Sequence, residues 1–289
     1  MVKKKTKSVS SSSNNNKIRD LGWGTKLKKG LVLRGDLSFK DGAKYSGALK
    51  SYKKQIPHGY GIFFYAEHGK KITYDGIELV TIKYYSGNFK NGKKEGKGKF
   101  ICTGQYTYEG QWKNDRLNGK GILKVWGTDE VFDGYFKDDL KIKGTWTISK
   151  KEKFIGKFKN NLPHGKGKLF EEKNIYTGDF YNGEKHGHGV SVLREKKGKI
   201  FYKGQWKNNK ITGKGFFDFG DGGNYKGSFL NGERHGKGVL TESKGEKAGT
   251  SYSGIWKNSM MDGIFIFKDK RGKKRKELWK DDNFIKFIK

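Results

Sequence analysis

A short unit recurs along this chain and constrains its fold more than any other feature. Residues 225–240 read YKGSFLNGERHGKGVL, and the same outline returns as YTGDFYNGEKHGHGV from residue 176 and YEGQWKNDRLNGKGIL from residue 108. Each copy alternates an aromatic, a glycine and a second aromatic, then has a polar turn and Gly-x-Gly. A period of two predicts a β-strand, and Asn-Gly is a strong signal for a tight hairpin turn. Each unit is therefore predicted to form one β-hairpin.

The glycine after the first aromatic marks about nine copies of this unit. These anchor glycines are Gly47, Gly87, Gly110, Gly134, Gly156, Gly178, Gly204, Gly227 and Gly254. A lone hairpin is marginal in water, whereas hairpins in series cover the rings of their neighbours. The repetition therefore predicts a serial array of packed hairpins rather than a globule.

The composition fits such an array, because aromatic rings must supply most of the buried area. Only 33% of the 289 residues are hydrophobic, while 15% are aromatic and 44 residues are glycine. Gly236 and Gly238 lack a Cβ, so we expect both to leave room for a ring. The residues predicted to build the stack are Tyr45, Gly47, Gly59, Gly61, Tyr85, Gly87, Gly96, Gly98, Tyr108, Gly110, Trp112, Gly119, Gly121, Gly156, Gly165, Gly167, Tyr176, Gly178, Gly187, Gly189, Tyr202, Gly204, Trp206, Gly213, Gly215, Tyr225, Gly227, Gly236, Gly238, Tyr252, Gly254 and Trp256.

Composition and repeat spacing divide the chain into four segments. Residues 1–18 are low-complexity Lys, Ser and Asn, which predicts a disordered basic tail. Residues 19–44 are expected to form N-terminal capping strands, and residues 45–267 the repeat region. Residues 268–289 begin like a further unit and then depart from it, as expected of a basic C-terminal cap or tail.

The spacing between anchor glycines is irregular once, between Gly47 and Gly87. Residues 62–84 fill this gap and include AEHGKKITYDGIELVTIK. Two alternatives remain open for this stretch: an enlarged loop, or an extra degenerate hairpin around Tyr74 and Gly76.

The formal charge of +33 draws the chain to polyanions, and lysine supplies nearly all of it. Lysine acts as a point charge and lacks the fork with which arginine reads base edges, so sequence-specific nucleic-acid binding is disfavoured. Lysines that alternate with aromatics and glycines are Lys113, Lys120, Lys137, Lys157, Lys159, Lys166, Lys168, Lys207, Lys214, Lys226 and Lys237. The candidate contacts for an anionic partner are Lys268, Lys270, Arg271, Lys273, Lys274, Arg275 and Lys276. A purely solvated lysine surface is the alternative.

The sequence predicts no catalytic, cofactor or metal site, so we expect the protein not to be an enzyme. HGKG has neither the spacing nor the helix of a phosphate-binding loop. His58, His164, His186 and His235 recur at one repeat position, which places them in separate hairpins and predicts a structural role. Cys102 is the only cysteine. No apolar run approaches the length of a membrane span, and the N-terminus does not read as a secretory signal.

The pattern Tyr-x-Gly-x-(Trp/Phe)-x-Asn-Gly-x-x-His-Gly-x-Gly resembles the MORN repeat, the "membrane occupation and recognition nexus" motif, over roughly residues 45–267. The resemblance implies an all-β fold: an elongated, single-layer antiparallel sheet of serial MORN hairpins. Two strands per repeat at about 4.8 Å spacing would make nine repeats span about 90 Å. Two copies depart from the pattern. The copy at Phe132 has Gly144 but no Gly-x-Gly, and the copy at Tyr252 has Phe265 in place of its second glycine.

The resemblance also implies a function as a non-enzymatic structural scaffold and protein-interaction module. Proteins of this family built only of repeats occur in cytoskeletal settings, and the ciliary or flagellar axoneme, as in radial spoke heads, is the favoured location. Expected partners are other proteins, including acidic surfaces such as tubulin. Edge strands would allow a homodimer or a place in a larger complex. The alternative function is a peripheral membrane adaptor that binds anionic phospholipids through its lysine-rich face.

Overall fold

The structure is a computed structural model that describes residues 33–51, 53–74, 77–195 and 198–289. Every regular element in these residues is a β-strand, so the predicted all-β class is confirmed. The predicted disordered tail, residues 1–18, and the first part of the capping segment, residues 19–32, lie outside the described residues.

The chain divides into two compact units, one ending at Trp146 and the other beginning at Thr147. The described strands of unit 1, of which the last ends one residue past the boundary, are β1 Leu33–Ser38, β2 Lys44–Leu49, β3 Pro57–Phe64, β4 Lys71–Tyr74, β5 Ile77–Val80, β6 Lys83–Lys90, β7 Lys93–Cys102, β8 Tyr106–Lys113, β9 Arg116–Val125, β10 Val131–Lys137 and β11 Leu140–Thr147. Antiparallel ladders join β1, β2, β3, β6, β7, β8, β9 and β10 in that order. Unit 1 is thus a single layer of serial hairpins.

Unit 2 repeats this arrangement. Its strands are β12 Lys153–Lys159, β13 Leu162–Phe170, β14 Asn174–Tyr181, β15 Glu184–Glu195, β16 Gly198–Lys207, β17 Lys210–Asp218, β18 Gly223–Leu230, β19 Glu233–Glu242, β20 Ser251–Lys257, β21 Met260–Met261, β22 Gly263–Lys268, β23 Lys274–Lys280 and β24 Asn283–Ile288. Consecutive strands pair antiparallel, except that β21 and β22 both pair with β20 rather than with each other. The predicted serial antiparallel hairpins are therefore confirmed within each unit.

Tight turns with two left-handed residues close the hairpins. Asn91 and Gly92 have φ values of 52° and 83°, and Asn231 and Gly232 have 53° and 95°. Positive φ at both central residues defines the type I′ turn, whose twist matches that of two antiparallel strands. Asn, Asp and Gly tolerate this conformation best, which explains why the turns are written NG, ND, DD, NN or NS.

Each turn also binds the backbone of the hairpin before it. The Asp139 amide donates to the Leu117 carbonyl at 3.1 Å, and Asp139 Oδ1 accepts from the Leu117 amide at 2.7 Å. Elsewhere the turn ends in glycine, and the Gly183 amide donates to the carbonyl of Pro163 at 2.9 Å. A glycine at this turn position has no side-chain oxygen to accept a hydrogen bond. The proline opposite it has no backbone N–H, so no donor is left unpaired. The other proline of the sequence, Pro57, occupies the same position.

We expect Asp139→Gly to lower the free energy of unfolding by about 1–2 kcal/mol, because the half-buried Leu117 amide loses its acceptor. Glycine accepts the left-handed φ of 70° at this turn position, so backbone strain does not contribute. Asp139→Asn is the matched control, since it keeps an oxygen acceptor and should cost less than about 0.5 kcal/mol. Urea unfolding midpoints measure both. Equal losses for the two variants would remove the role of the side chain.

The core of each unit is a row of rings on one face of its sheet. Tyr225 is fully buried and packs edge-on against Phe229 of its own hairpin at 5.1 Å and Trp256 of the next hairpin at 5.5 Å. Its hydroxyl donates to the Ser228 carbonyl at 3.1 Å. The rings at this repeat position that are at most 2% exposed are Tyr45, Tyr85, Tyr108, Phe132, Phe154, Tyr176, Tyr202 and Tyr225. Rings therefore link consecutive hairpins.

The two glycines of the second strand serve different purposes. Gly238 pairs with Gly227, and the Tyr225 ring covers both, so a Cβ on Gly238 would overlap the ring. Gly236 has a φ of 73°, and its nearest side chain, Ser228, is 3.6 Å from where a Cβ would lie. The prediction that Gly236 leaves room for a ring is therefore wrong. A β-bulge shifts the register after Gly227, and Gly236 supplies the left-handed backbone near it.

The two copies that depart from the sequence pattern still pack a ring over the anchor glycine. In the first, Phe132 covers Gly134 and Gly144, and a Cβ on Gly134 would lie 2.6 Å from Phe132 Cζ. In the second, Phe265 is fully buried, and a Cβ on Gly254 would lie 2.5 Å from its ring. In the second copy a ring from the second strand thus replaces the usual ring from the first, whereas the first copy keeps the usual ring.

Two segments that the sequence left undefined form strands. The extra hairpin is present, with β4 paired antiparallel to β5 in a separate two-stranded sheet. Residues 268–289 continue the sheet of unit 2, since β23 pairs with β22 and β24 pairs with β23. The basic C-terminal segment therefore contains two paired strands, β23 and β24.

Candidate functional site

A continuous ladder of glycines crosses the sheet of unit 2. The ladder runs across β12 to β20 through Gly156, Gly167, Gly178, Gly189, Gly204, Gly215, Gly227, Gly238 and Gly254. Residues on either side of each glycine point away from the rings, because side chains alternate along a strand. The glycines form the floor of a groove, and their neighbours form its two walls. We call this groove the glycine trough.

An open cavity of about 770 Å³ occupies the trough from β12 to β18. Gly167, Gly178, Gly189, Gly204 and Gly215 contribute its floor. One wall follows a single cross-strand row that pairs Ile155, Lys168, Thr177, Val190, Lys203, Phe216 and Lys226 in order. The second wall includes Lys166 and His188. The register of the sheet therefore aligns these side chains across seven strands.

The walls of the trough carry many lysines and few carboxylates. The lysines that flank ladder glycines in unit 2 are Lys157, Lys166, Lys168, Lys203, Lys214, Lys226 and Lys237, all of them exposed. The one acid that flanks the ladder is Asp179, which pairs with Lys166 at 2.7 Å. Although burial alone would raise the pKa of Asp179, hydrogen bonds from Lys166 and the His188 amide lower it. Asp179 is thus a charged carboxylate that forms an ion pair with Lys166. It does not neutralise the other lysines beside the ladder.

The corresponding rows in unit 1 have a mixed charge. Its ladder runs through Gly35, Gly47, Gly61, Gly87, Gly98, Gly110, Gly121 and Gly134. Acids flank this ladder at Asp36, Glu109 and Asp133, and Glu109 pairs with Lys99 at 3.7 Å. The excess of positive charge beside the ladder is therefore a property of unit 2.

The basic run near the C-terminus is split between the two faces. Lys268, Lys274 and Lys276 are exposed and lie on the side of the lysine row, since Lys276 pairs with Ile266 and Lys274 with Lys268. Arg275 instead lies on the ring face, with its guanidinium 4.1 Å from the centre of Phe267. It pairs there with Glu277, which is 1% exposed. Of the predicted anion contacts, Arg275 thus lies on the ring face and is paired with the buried Glu277.

A second set of cations lies among the rings. Lys94 Nζ is 4.5 Å from the centre of the Trp112 ring and donates to the Tyr65 hydroxyl at 2.9 Å. Burial lowers the pKa of Lys94, and likewise that of Arg234, whose guanidinium is 4.3 Å from the Trp256 ring. These cation–π contacts stabilise the stack and were not anticipated from the sequence. The only sequence signal for these contacts is a basic residue two or three positions after the hairpin turn.

The predicted structural histidines lie in separate hairpins. His58 Nδ1 accepts from the amide of Asn91 in the next turn at 3.4 Å. His164 and His186 pack on either side of Tyr181, at 5.2 Å and 5.6 Å. The described residues contain no group of three or more potential metal ligands, and Cys102 is buried. No helix in the described ranges is long and apolar enough to cross a membrane.

Comparison with known proteins gives the same repeat boundaries. The MORN repeat family matches seven segments, residues 85–105, 108–124, 154–170, 176–193, 202–224, 225–246 and 252–264. The hairpins anchored at Gly47 and Gly134 fall outside these matches yet keep the ladder and the ring packing.

Curated relatives share part of this region. Alsin from Rattus norvegicus and from Homo sapiens are each 31% identical over 187 residues, which cover 61% of this chain and 10% of alsin. An inactive protein tyrosine kinase, pTKL, from Plasmodium berghei is 33% identical over 96 residues, 33% of this chain and 6% of that protein. The chain thus spans about a tenth or less of the relatives that it matches. The seven matched repeats and their shared packing show that the chain belongs to the MORN-repeat family.

Proposed function

We propose that this protein is a non-catalytic scaffold that docks other proteins on the lysine-lined trough of unit 2. MORN repeats form a protein-interaction or membrane-binding module. The observation that supports a docking role is the cross-strand row in which Lys168, Lys203 and Lys226 share an open groove. We place the protein at the cytoskeleton, with the ciliary or flagellar axoneme favoured and radial spoke heads as the nearest parallel. Support for this location comes from the sequence resemblance alone.

The trough is suited to docking because its lysines are held in place by the ladder. Backbone hydrogen bonds fix each strand, and rings on the opposite face fix each hairpin against the next. The backbone positions of the lysines therefore keep a set spacing. Contacts between exposed charges are screened within about 10 Å at 0.1 M salt, so binding should depend steeply on salt.

We expect cosedimentation with microtubules to weaken at least tenfold between low and physiological salt, because point charges on lysine would carry the contact. The measurement is a salt titration with native and tail-cleaved microtubules, with axonemal preparations as a second matrix. Lys270→Gln with Lys273→Gln tests the basic turn of the C-terminal segment without disturbing Arg275 or Glu277. Binding that resists salt would contradict the charge mechanism. No binding to either matrix would contradict the cytoskeletal placement.

Anionic phospholipid is the second candidate partner, and one observation favours it. Ile255 and Ile266, which are 58% and 43% exposed, lie beside lysines on the face opposite the rings. Apolar side chains among lysines suit a membrane surface, which offers anionic headgroups and an apolar interior. Pelleting with phosphatidylserine vesicles and with neutral vesicles separates the two candidates. Binding to anionic vesicles and not to any protein matrix would make the protein a membrane adaptor.

A further inference from the structure

We propose that the glycine trough binds a single extended peptide segment rich in acidic residues, laid across the strands from β13 to β18. This inference rests on the proposed docking function and specifies the chemistry of the partner. It follows from the width of the trough, its length and the chemistry of its walls.

The trough is wide enough for one chain. Its walls are the residues immediately before and after each ladder glycine, such as Lys203 and Gln205 around Gly204. The open cavity between these walls has a volume of about 770 Å³ and runs from β12 to β18. Gly204 pairs with Gly189 and Gly215, and the position of a Cβ on each of them faces the rings, so the floor between the walls is backbone alone. A flat bilayer cannot follow such a floor, whereas a single extended peptide can.

The length of the lysine row sets the length of the occupant. Lys168 on β13 and Lys226 on β18 are five strand spacings apart along one wall. At about 4.8 Å per spacing this is about 24 Å, which an extended peptide covers with about seven residues. Lys203 lies between them, and Lys214 faces it from the other wall one strand further. A short acidic segment would therefore meet several lysines together.

The chemistry of the walls favours carboxylates alternating with small apolar side chains. Lys203 and Lys226 are exposed, and no acidic side chain pairs with either among the residues that the structure describes. Val190 and Phe216 lie beside them in the same row. Nucleic acid fits less well, because its binding sites offer exposed rings for base stacking and this wall has one partly buried ring. An acidic peptide satisfies both the lysines and the apolar positions between them.

The test uses a fluorescent nonapeptide of alternating Glu and Ala, with a Gln/Ala peptide of the same length as the uncharged control. Binding is followed by fluorescence anisotropy at low salt with the full chain. Lys203→Glu with Lys226→Glu should weaken binding of the Glu/Ala peptide at least tenfold, because two attractive contacts become repulsive. Lys159→Glu with Lys207→Glu is the matched control. These two lysines are exposed on the same unit next to turns, and the same charge change there should alter affinity less than about threefold.

Each outcome decides the proposal. Selective loss in the Lys203/Lys226 variant supports the trough as the peptide site. Equal loss in both variants would show that the peptide responds only to net charge, and equal binding of the Gln/Ala peptide would remove the acidic requirement. Binding of phosphatidylserine vesicles that is lost in the Lys203/Lys226 variant, without peptide binding, would assign the trough to lipid. Unchanged peptide binding in this variant would overturn the peptide site, and microtubule binding that survives in the same variant would show that the scaffold function stands without it.

Discussion

Replacement of Gly238 by valine is expected to lower the free energy of unfolding by about 3 kcal/mol. A Cβ at this position would overlap the hydroxyl and ring carbons of Tyr225, which is fully buried. The Tyr225 ring would have to leave its place between Phe229 and Trp256. Overpacking costs about 1–3 kcal/mol, and loss of a buried aromatic side chain costs about 3–5 kcal/mol. Because the valine both overpacks the site and displaces the ring, we expect a cost at the upper end of the overpacking range.

Two neighbouring substitutions are the controls for this result. Lys237→Val changes an exposed residue on the opposite face and should shift stability by less than about 0.5 kcal/mol. Gly236→Ala strains a backbone with a φ of 73° but meets no ring, so about 1 kcal/mol is expected. Urea midpoints followed by circular dichroism rank the three variants. Equal effects at positions 237 and 238 would contradict the ring-over-glycine packing.

Raising the pH from 10 to 12 is expected to unfold the repeats cooperatively. Burial raises the pKa of Tyr108, Tyr202 and Tyr225 to about 12, and it raises the pKa of Tyr45 and Tyr176 further still. Each of these hydroxyls donates to a backbone carbonyl three residues ahead, which an ionised oxygen cannot do. The native state therefore keeps protons that the unfolded state has already released.

The sign of the effect follows from this difference in bound protons. An unfolded tyrosine has a pKa of about 10, so the stabilisation is complete below pH 10 and is lost as the pH rises toward the folded value. Each such tyrosine costs up to about 1.4 kcal/mol per pH unit in this window. Burial lowers the pKa of Lys94 and Lys141, and this acts in the opposite direction because the unfolded chain then holds more protons. The larger number of tyrosines decides the net direction.

Tyrosinate absorbance at 295 nm and circular dichroism, recorded on one sample, measure this transition. We expect both signals to change together between pH 10 and 12, whereas the chain in concentrated urea should titrate near pH 10. Gradual ionisation of the buried tyrosines with an intact strand signal would contradict their burial.

The sequence predicted the hairpins because their signals are local. Alternating rings and Asn-Gly turns indicate strands and type I′ turns without reference to distant residues. The roles of Gly236 and Gly238 could not be separated in this way. A β-bulge changes the register inside the hairpin, so alternation counted along the sequence places Gly236 on the wrong face.

The candidate site was predicted only in outline. Alternation placed Lys226 and Lys237 opposite the rings, and the structure agrees. The alignment of Lys168, Lys203 and Lys226 in one row depends on cross-strand register, which a sequence with bulges does not fix. The basic run at the C-terminus drew attention because it is contiguous. Its strand instead divides it between two faces and pairs Arg275 with the buried Glu277.

Zero-length carbodiimide crosslinking of the acidic nonapeptide to the full chain tests the central claim most directly. This reagent joins a carboxylate only to an amine that it already touches, so the modified lysines report the contact itself. Crosslinks are expected to concentrate on Lys168, Lys203 and Lys226, to be identified by mass spectrometry, and to be suppressed at high salt. Crosslinks spread evenly over exposed lysines, including Lys159 and Lys207, or confined to residues 268–276, would contradict a docking site in the glycine trough.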